Sequence, residues 1–177
     1  MKEAGGFSKP EETIKQLNIK EDMIIADFGC GAGYFTVPLA KAAEEGKVYA
    51  LDVLAEALES VRSRAKLEGL FNIETKHCDL EILGGSGLED NSIDLVLLGN
   101  ILFQSFQKDD IIKEARRVLK KDGKLIIIDW KPNQSMGPPE KLIISSDAVK
   151  KMVKEQSLGF EKEFPVDNYH WGMAFKK

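Results

Sequence analysis

Asp27-Phe28-Gly29-Cys30-Gly31-Ala32-Gly33 is the stretch from which the rest of the sequence can be read. The four residues before it, Met23-Ile24-Ile25-Ala26, form a continuous apolar run, as in a parallel strand buried on both faces. After it, residues 34–45 resume with helical spacing at Phe35, Leu39, Ala42 and Ala43, and Pro38 fits there only in a first turn. A strand, a glycine-rich turn and a helix in that order bring the backbone close to a nucleotide at the end of the strand. The spacing is D-x-G-x-G-x-G. A dinucleotide-binding turn would need glycine at position 34, where Tyr34 stands, and this argues against a nicotinamide-dependent oxidoreductase.

Outward from the turn the strand–helix unit repeats. Residues 47–51 read as a second strand that finishes at Asp52. Leu54, Leu58, Val61 and Ala65 then share a helical face, with Gly69 as its C-terminal cap. Residues 72–77 form a short third strand followed by Cys78-Asp79, and residues 93–98 a fourth that ends at Gly99-Asn100. The periodicity predicts an amphipathic helix over 109–121 stopped by Gly123, then a fifth strand over 124–129 and a proline-containing loop over 130–139. A helix over 147–156 closed by Gly159 is followed by two short alternating runs, 160–165 and 169–175. These read as a hairpin joined at Val166-Asp167-Asn168. Before the first strand, Ser8 reads as an N-cap with Pro10 in the first turn and Glu11 closing a capping box, for a helix to about Leu17. Such alternation predicts a parallel sheet with helices on both faces and right-handed crossovers.

The chain has 177 residues and reads as one domain over 1–177, with 1–22 as a short N-terminal cap segment. Hydrophobic residues make up 43% and charged residues 31%, the proportions of a globular chain that buries a core. No apolar run has the length of a membrane span, and the N-terminal residues lack the apolar segment of a secretory signal. Cys30 and Cys78 are too few for a disulfide framework and have no metal-ligand spacing, so a reducing cytoplasm is the expectation and no metal is expected. A net charge of −4 disfavours a nucleic-acid partner held by phosphate contacts.

Two further acids fall where a nucleoside would need them. Asp52 closes the second strand and can accept both ribose hydroxyls; Asp79 closes the third and can accept from an adenine amino group. An isolated aspartate at a strand end more often makes a turn. Acids at three consecutive strand ends, in register with a glycine turn, favour a cofactor. On these residues the chain resembles class I S-adenosylmethionine-dependent methyltransferases from Met23 to about Asp129. The glycine turn is similar to their first motif, Leu51-Asp52 to the second-strand acid and Cys78-Asp79-Leu80 to the adenine site. Residues 94–100 are similar to their fourth-strand motif, and 115–125 to the helix and turn before their fifth strand.

The resemblance implies a Rossmann-like, doubly wound α/β fold with a seven-stranded sheet, mostly parallel with an antiparallel last strand. It implies S-adenosylmethionine as cofactor and S-adenosylhomocysteine as product. The implied cofactor-binding residues are Asp27, Gly29, Cys30, Gly31, Gly33, Asp52, Val53, Asp79, Leu80 and Asn100, with Asn100 bordering the sulfonium. Methyl transfer is an in-line displacement that chiefly needs positioning, and a base only where the acceptor loses a proton. If the sixth strand runs parallel and the seventh returns, their connection reaches the cofactor edge of the sheet. His170 is then the candidate base; the other reading is a buried, hydrogen-bonded strand histidine. Phe103, Trp130 and Tyr169 are candidate walls of the acceptor pocket, with Phe106 and Trp171 also considered. His77 reads as structural.

No Pro-Cys pair stands here for cytosine C5 chemistry, no Asn-Pro-Pro-Tyr for amino-group methylation, and two cysteines are too few for arsenic. The acceptor class left foremost is a small molecule; a lipid headgroup or a protein side chain stays open, as does a non-catalytic cofactor-binding module acting through a partner subunit. The short segment before the first strand leaves the cofactor to be covered by Phe7 and the first helix, by another subunit such as that of a homodimer, or by substrate.

Overall fold

A computed structural model describes residues 9–177 of the chain. A short helix α1 (Pro10–Lys15) precedes β1 (Ile24–Phe28), α2 (Thr36–Ala42), β2 (Lys47–Asp52), α3 (Ala55–Glu68), β3 (Ile73–His77) and β4 (Ile93–Gly99). Then come α4 (Lys108–Val118), β5 (Leu119–Trp130), a single 3-10 turn at Glu140–Leu142, α5 (Ser146–Glu155), β6 (Gly159–Pro165) and β7 (His170–Lys176). The seven strands lie in the order β3-β2-β1-β4-β5-β7-β6. Pairing is parallel from β3 through to β5, while β7 is antiparallel to both β5 and β6. The expected α/β architecture is therefore present, antiparallel strand included.

Strand alternation divides the core between two faces. Ile25, Val48, Leu95, Leu97 and Ile126 meet α1 and α2 through Ile14, Phe35 and Leu39. On the same face Ala50 meets Leu58 and Val61 of α3. The opposite face carries Ala26, Phe28, Val96, Leu98 and Ile127 against Ile111, Ile112 and Ala115 of α4 and Val149 and Val153 of α5. Successive strands after β1 are added on one side and those from β4 on the other, so the crevice opens at the C-terminal ends of β1 and β4.

Several element ends differ from the sequence expectation. Helix α4 stops at Val118, not at 121, because Leu119 is already extended with ψ 134° and pairs with Ile93. Asp122 (φ 65°), not Gly123 alone, makes the turn, held where its N–H donates to the Lys177 carbonyl at 3.0 Å. Gly159 opens β6 instead of closing α5; Ser157 supplies the left-handed residue (φ 58°) after the helix, and Ser145 caps its start. Helix α1 begins after Lys9 without a side-chain cap, and the N-cap read at Ser8 lies outside the described residues, as does the covering role of Phe7.

Three of the buried acids among the described residues are held in different ways. Glu114 of α4 is fully buried and lies 2.7 Å from Arg117, whose side chain is 20% exposed. It also accepts from the Gly84 and Ser86 N–H groups at 2.7 and 3.2 Å. Burial alone would raise its carboxyl, but Arg117, Ser86 and Gly84 together hold it at about 2. Asp27 lies beneath the glycine turn and accepts from the Thr36 hydroxyl at 2.6 Å. Burial pushes it to about 7 despite that hydrogen bond, with the Asp52 charge adding in the same sense. Asp129, at the end of β5, is pushed to about 6 by burial, offset in part by N–H groups of Trp130, Phe103 and Leu102.

Two predictions follow from these burials. Glu114→Ala strands the Arg117 guanidinium and frees the 84–88 loop, which should lower unfolding free energy by about 3 kcal/mol in urea titrations. A loss below about 1 kcal/mol would show that the pair does not hold the loop. For Asp27 the folded chain keeps, between about pH 4 and 7, a proton that the unfolded chain has released. Stability therefore falls as pH rises through that window and levels off above it. Asp27→Asn cannot ionise, so its stability relative to the unsubstituted chain should climb from pH 4 to 7; parallel pH profiles would contradict the assignment.

Candidate functional site

The turn that follows β1 is built from three left-handed glycines, Gly29 (φ 73°), Gly31 (φ 51°) and Gly33 (φ 84°). A Cβ on Gly29 would stand 2.6 Å from the Ile101 side chain, so a methyl group there would collide with the segment after β4. A Cβ placed on Gly31 would have nothing within 4 Å, so that side of the backbone is open to a ligand. The Gly29 and Cys30 N–H groups donate to the Leu51 carbonyl at 2.8 and 3.0 Å, tying the turn to β2. Asp52 completes the tie: its Oδ2 accepts from Gly31 N–H and its Oδ1 from Leu54 N–H, each at 2.9 Å.

A cavity of about 430 Å³ lies against this turn. Gly29, Gly31, Asp52, Val53, Asp79 and Leu80 line it as the sequence led one to expect. Ile101, Gln104, Ser105 and Glu81 line it too, and no motif had marked them. Ser105 donates to Glu81, and Gln107 donates to the other Glu81 oxygen at 3.2 Å, which fastens the segment after β4 to the segment after β3. Asp27 and Cys30 do not line the cavity. Asp27 supports the turn from below, and Cys30 fills the space among Ala50, Leu58 and Val61, its thiol pushed up chiefly by burial. Gly33 packs its Cα side on Val61. His77, read as structural, ends β3 with its Nε2 2.8 Å from the Val53 carbonyl.

A second cavity, about 310 Å³, lies across the end of β4 and shares no lining residue with the first. Its walls include Tyr34, Phe35, Ile128, Trp130 and Val166; its polar residues include Asn100, Asp167 and His170. Asn100 thus faces this cavity and not the one beside Asp52. It turns the chain at φ 55°, and its Oδ1 is buried with no hydrogen-bond partner among the described residues. His170, 5% exposed, stacks at a tilt on Trp130 with ring centroids 4.2 Å apart. A Cβ on Gly137 would stand 2.6 Å from the Trp130 ring, so the 131–139 loop packs on the indole and holds it in place.

Of the aromatic residues expected around the acceptor, only Trp130 lines this cavity. Tyr169 precedes His170 on the chain, and neighbouring residues at a strand take opposite sides; its carbonyl instead accepts from Lys131 N–H at 2.7 Å. Phe103 has its backbone N–H tied to Asp129 Oδ2 at 3.2 Å and lines neither cavity. Phe106 is 93% exposed, and Trp171 donates its indole N–H to the Trp130 carbonyl at 3.0 Å from the opposite face. The residues that sequence reading missed, Thr13, Tyr34, Phe35 and Asp167, come from α1, the glycine turn and the hairpin connection. Only the spacing of Asp167 three residues before His170 offered a local hint. Among the described residues no helix is long and apolar enough to cross a membrane, and no cluster of His, Cys, Asp and Glu could hold a metal.

A family model described as a methyltransferase domain matches residues 19–168. Demethylmenaquinone methyltransferase of Bacillus subtilis is 29% identical over 132 residues, covering 72% of this chain and 54% of its own length. The chain spans about half the length of the curated relatives it matches. A SAM dependent methyltransferase from Aquifex aeolicus superposes with a TM-score of 0.87 at 28% identity, over 96% of this chain and 90% of that one. The YcgJ protein from Bacillus subtilis, with a TM-score of 0.79 at 14% identity over 96% and 97% of the two chains, shares the fold alone. The strand order, the glycine turn and the family match agree: this chain belongs to the methyltransferase-domain family, in the class I S-adenosylmethionine-dependent group.

Proposed function

We propose that this chain moves the methyl group of S-adenosylmethionine to a small-molecule acceptor by in-line displacement. The observation that carries the reading is the pair of cavities on either side of the β4 end, one built on the glycine turn and strand-end acids, the other on His170, Asn100 and Trp130. The first fits the adenosyl group in size and donor set. Its volume is within the range of small-ligand pockets. Gly31 leaves open space for a close approach, and Asp52 and Asp79 offer carboxylate oxygens to ribose and adenine. Both Asp52 oxygens already accept one backbone N–H, so the same residue fixes the turn and would receive the ribose hydroxyls. Val53 and Leu80 would flank the base, while Asp27, Cys30 and Gly33 set the turn's shape from behind. When bound, S-adenosylmethionine supplies an electrophilic methyl group on a positively charged sulfur.

Asn100, at the end of β4, lines the second cavity and would border that methyl group from that side. The acceptor-side cavity, at about 310 Å³, is sized for a small molecule, and its described lining includes no Lys or Arg to hold a phosphate-bearing headgroup. His170 would take a proton from the acceptor. The demethylmenaquinone methyltransferases among the relatives are named for small-molecule methylation, which accords with this reading. One domain over 1–177 and a cytoplasmic setting are part of the same proposal.

Calorimetry and a labelled-methyl assay test it. S-adenosylhomocysteine should bind and NAD should not, and Asp52→Ala should weaken S-adenosylhomocysteine by about 1–3 kcal/mol through loss of a charged acceptor. NAD binding the more tightly of the two would reverse the assignment. A chain that binds S-adenosylhomocysteine yet transfers label to nothing in a broad acceptor panel would instead be a binding module.

A further inference from the structure

The acceptor-side cavity holds a hydrogen-bonded carboxylate and imidazole that the proposed function leaves unexplained. Asp167, in the connection between β6 and β7, and His170, the first residue of β7, have side chains only 6% and 5% exposed. The His170 Nδ1 lies 2.9 Å from Asp167 Oδ1 and 3.0 Å from Oδ2. Asp167 Oδ1 also accepts the backbone N–H groups of Tyr169 and His170, each at 2.8 Å. The turn therefore fixes the carboxylate, and the carboxylate in turn fixes the ring.

We propose that Asp167 is the positioning residue that makes His170 a base, and that the cavity receives a small planar ring bearing a hydroxyl group, whose proton His170 removes. This rests on the transferase reading above. A carboxylate only accepts hydrogen bonds, so Nδ1 carries the proton of the neutral imidazole and Nε2 is the nitrogen that accepts one. Asn100 Oδ1, in the same cavity, is a second acceptor, buried and with no partner among the described residues. A ligand that satisfies both must bring hydrogen-bond donors. Tyr34, Phe35 and Trp130 supply flat walls, and Ile128 and Val166 apolar ones. A hydroxylated ring meets all of these demands, whereas an anionic headgroup finds no cation in the lining. Among the described residues, the charged and titratable groups facing the pair include Tyr34, whose hydroxyl feels the charges of both Asp167 and Glu11 of α1, and Lys131, whose Nζ donates to the Asp167 carbonyl at 2.7 Å.

The step balances without an oxidant or reductant. The O–H proton passes to His170 Nε2, and the oxygen pair forms the new bond to the methyl carbon. The carbon–sulfur bond breaks with its pair left on sulfur, which loses its charge as the imidazole gains one beside Asp167.

Three readouts on the full chain test this, the first two with S-adenosylhomocysteine present and the third with S-adenosylmethionine. Nitrogen-15 NMR of the histidine side chains should show His170 protonated at Nδ1, and Asp167→Asn should switch it to Nε2, because the amide donates to Nδ1. The small phenol 4-nitrophenol, added below the pH at which it ionises in water, should show its phenolate absorption on binding to the unsubstituted chain and lose it in Asp167→Asn. Turnover with phenolic acceptors should drop about 10²–10⁴-fold in Asp167→Asn, with S-adenosylhomocysteine affinity within about twofold of the original. An unchanged tautomer, or 4-nitrophenol that stays neutral or does not bind, would overturn the inference while leaving the transferase reading in place. Loss of S-adenosylhomocysteine binding in the unsubstituted chain would overturn both.

Discussion

The hydrogen bond from Gly31 N–H to Asp52 Oδ2 joins the two elements on which the site depends. A turn with three residues at positive φ suits glycine, and fixing three glycines costs more backbone entropy than fixing other residues. Here the turn is held on both sides. Gly29 and Cys30 are pinned to Leu51, Gly31 to Asp52, and Asp27 is held to Thr36 below. The same constraint that shapes the turn leaves open space in front of Gly31 and brings a carboxylate to its edge. Where β4 comes alongside β1, Ile101 closes against Gly29 and Asn100 turns away toward the other cavity.

The two cavities differ in chemistry as well as place. One is bordered by acids at strand ends; the other is walled by aromatic and aliphatic side chains, with its polar groups grouped around His170 and Asn100. The proposed displacement, which moves positive charge off sulfur, would make use of such a division. On that proposal the first cavity would attract a cationic donor and the second would keep water from an incoming nucleophile. Buried acids at Asp27 and Asp129 lie at the ends of β1 and β5, where burial makes them reluctant to ionise and a neighbouring cation would favour their charged form.

The parts of this arrangement that depend on local pattern were readable from the sequence. Strand–helix alternation, the glycine spacing and the acids at Asp52 and Asp79 each follow from periodicity or from a turn's demand for glycine. What escaped reading depends on contacts distant in the chain. The end of α4 is set by Leu119 pairing with Ile93 and by Asp122 meeting the C-terminal Lys177, although helical spacing continues through Leu119. Asp94 opens the stretch similar to the family's fourth-strand motif and lies at the end of β4 away from the site, accepting from Ile24 N–H and pairing with Lys120. Trp130 and His170 meet only because β5 and β7 pair in that register. Asp167 gains its meaning from that meeting, and Tyr169 and Phe103 lose theirs by facing elsewhere.

The account stands or falls on which side of β4 the nucleoside occupies. A crystal structure of the chain with S-adenosylhomocysteine tests this directly. The adenosyl group should lie over Gly31 with its ribose on Asp52 and its base between Val53 and Leu80, and its sulfur should point toward Asn100. Density for the adenosyl group in the Trp130–His170 cavity, or none at the glycine turn, would contradict the account.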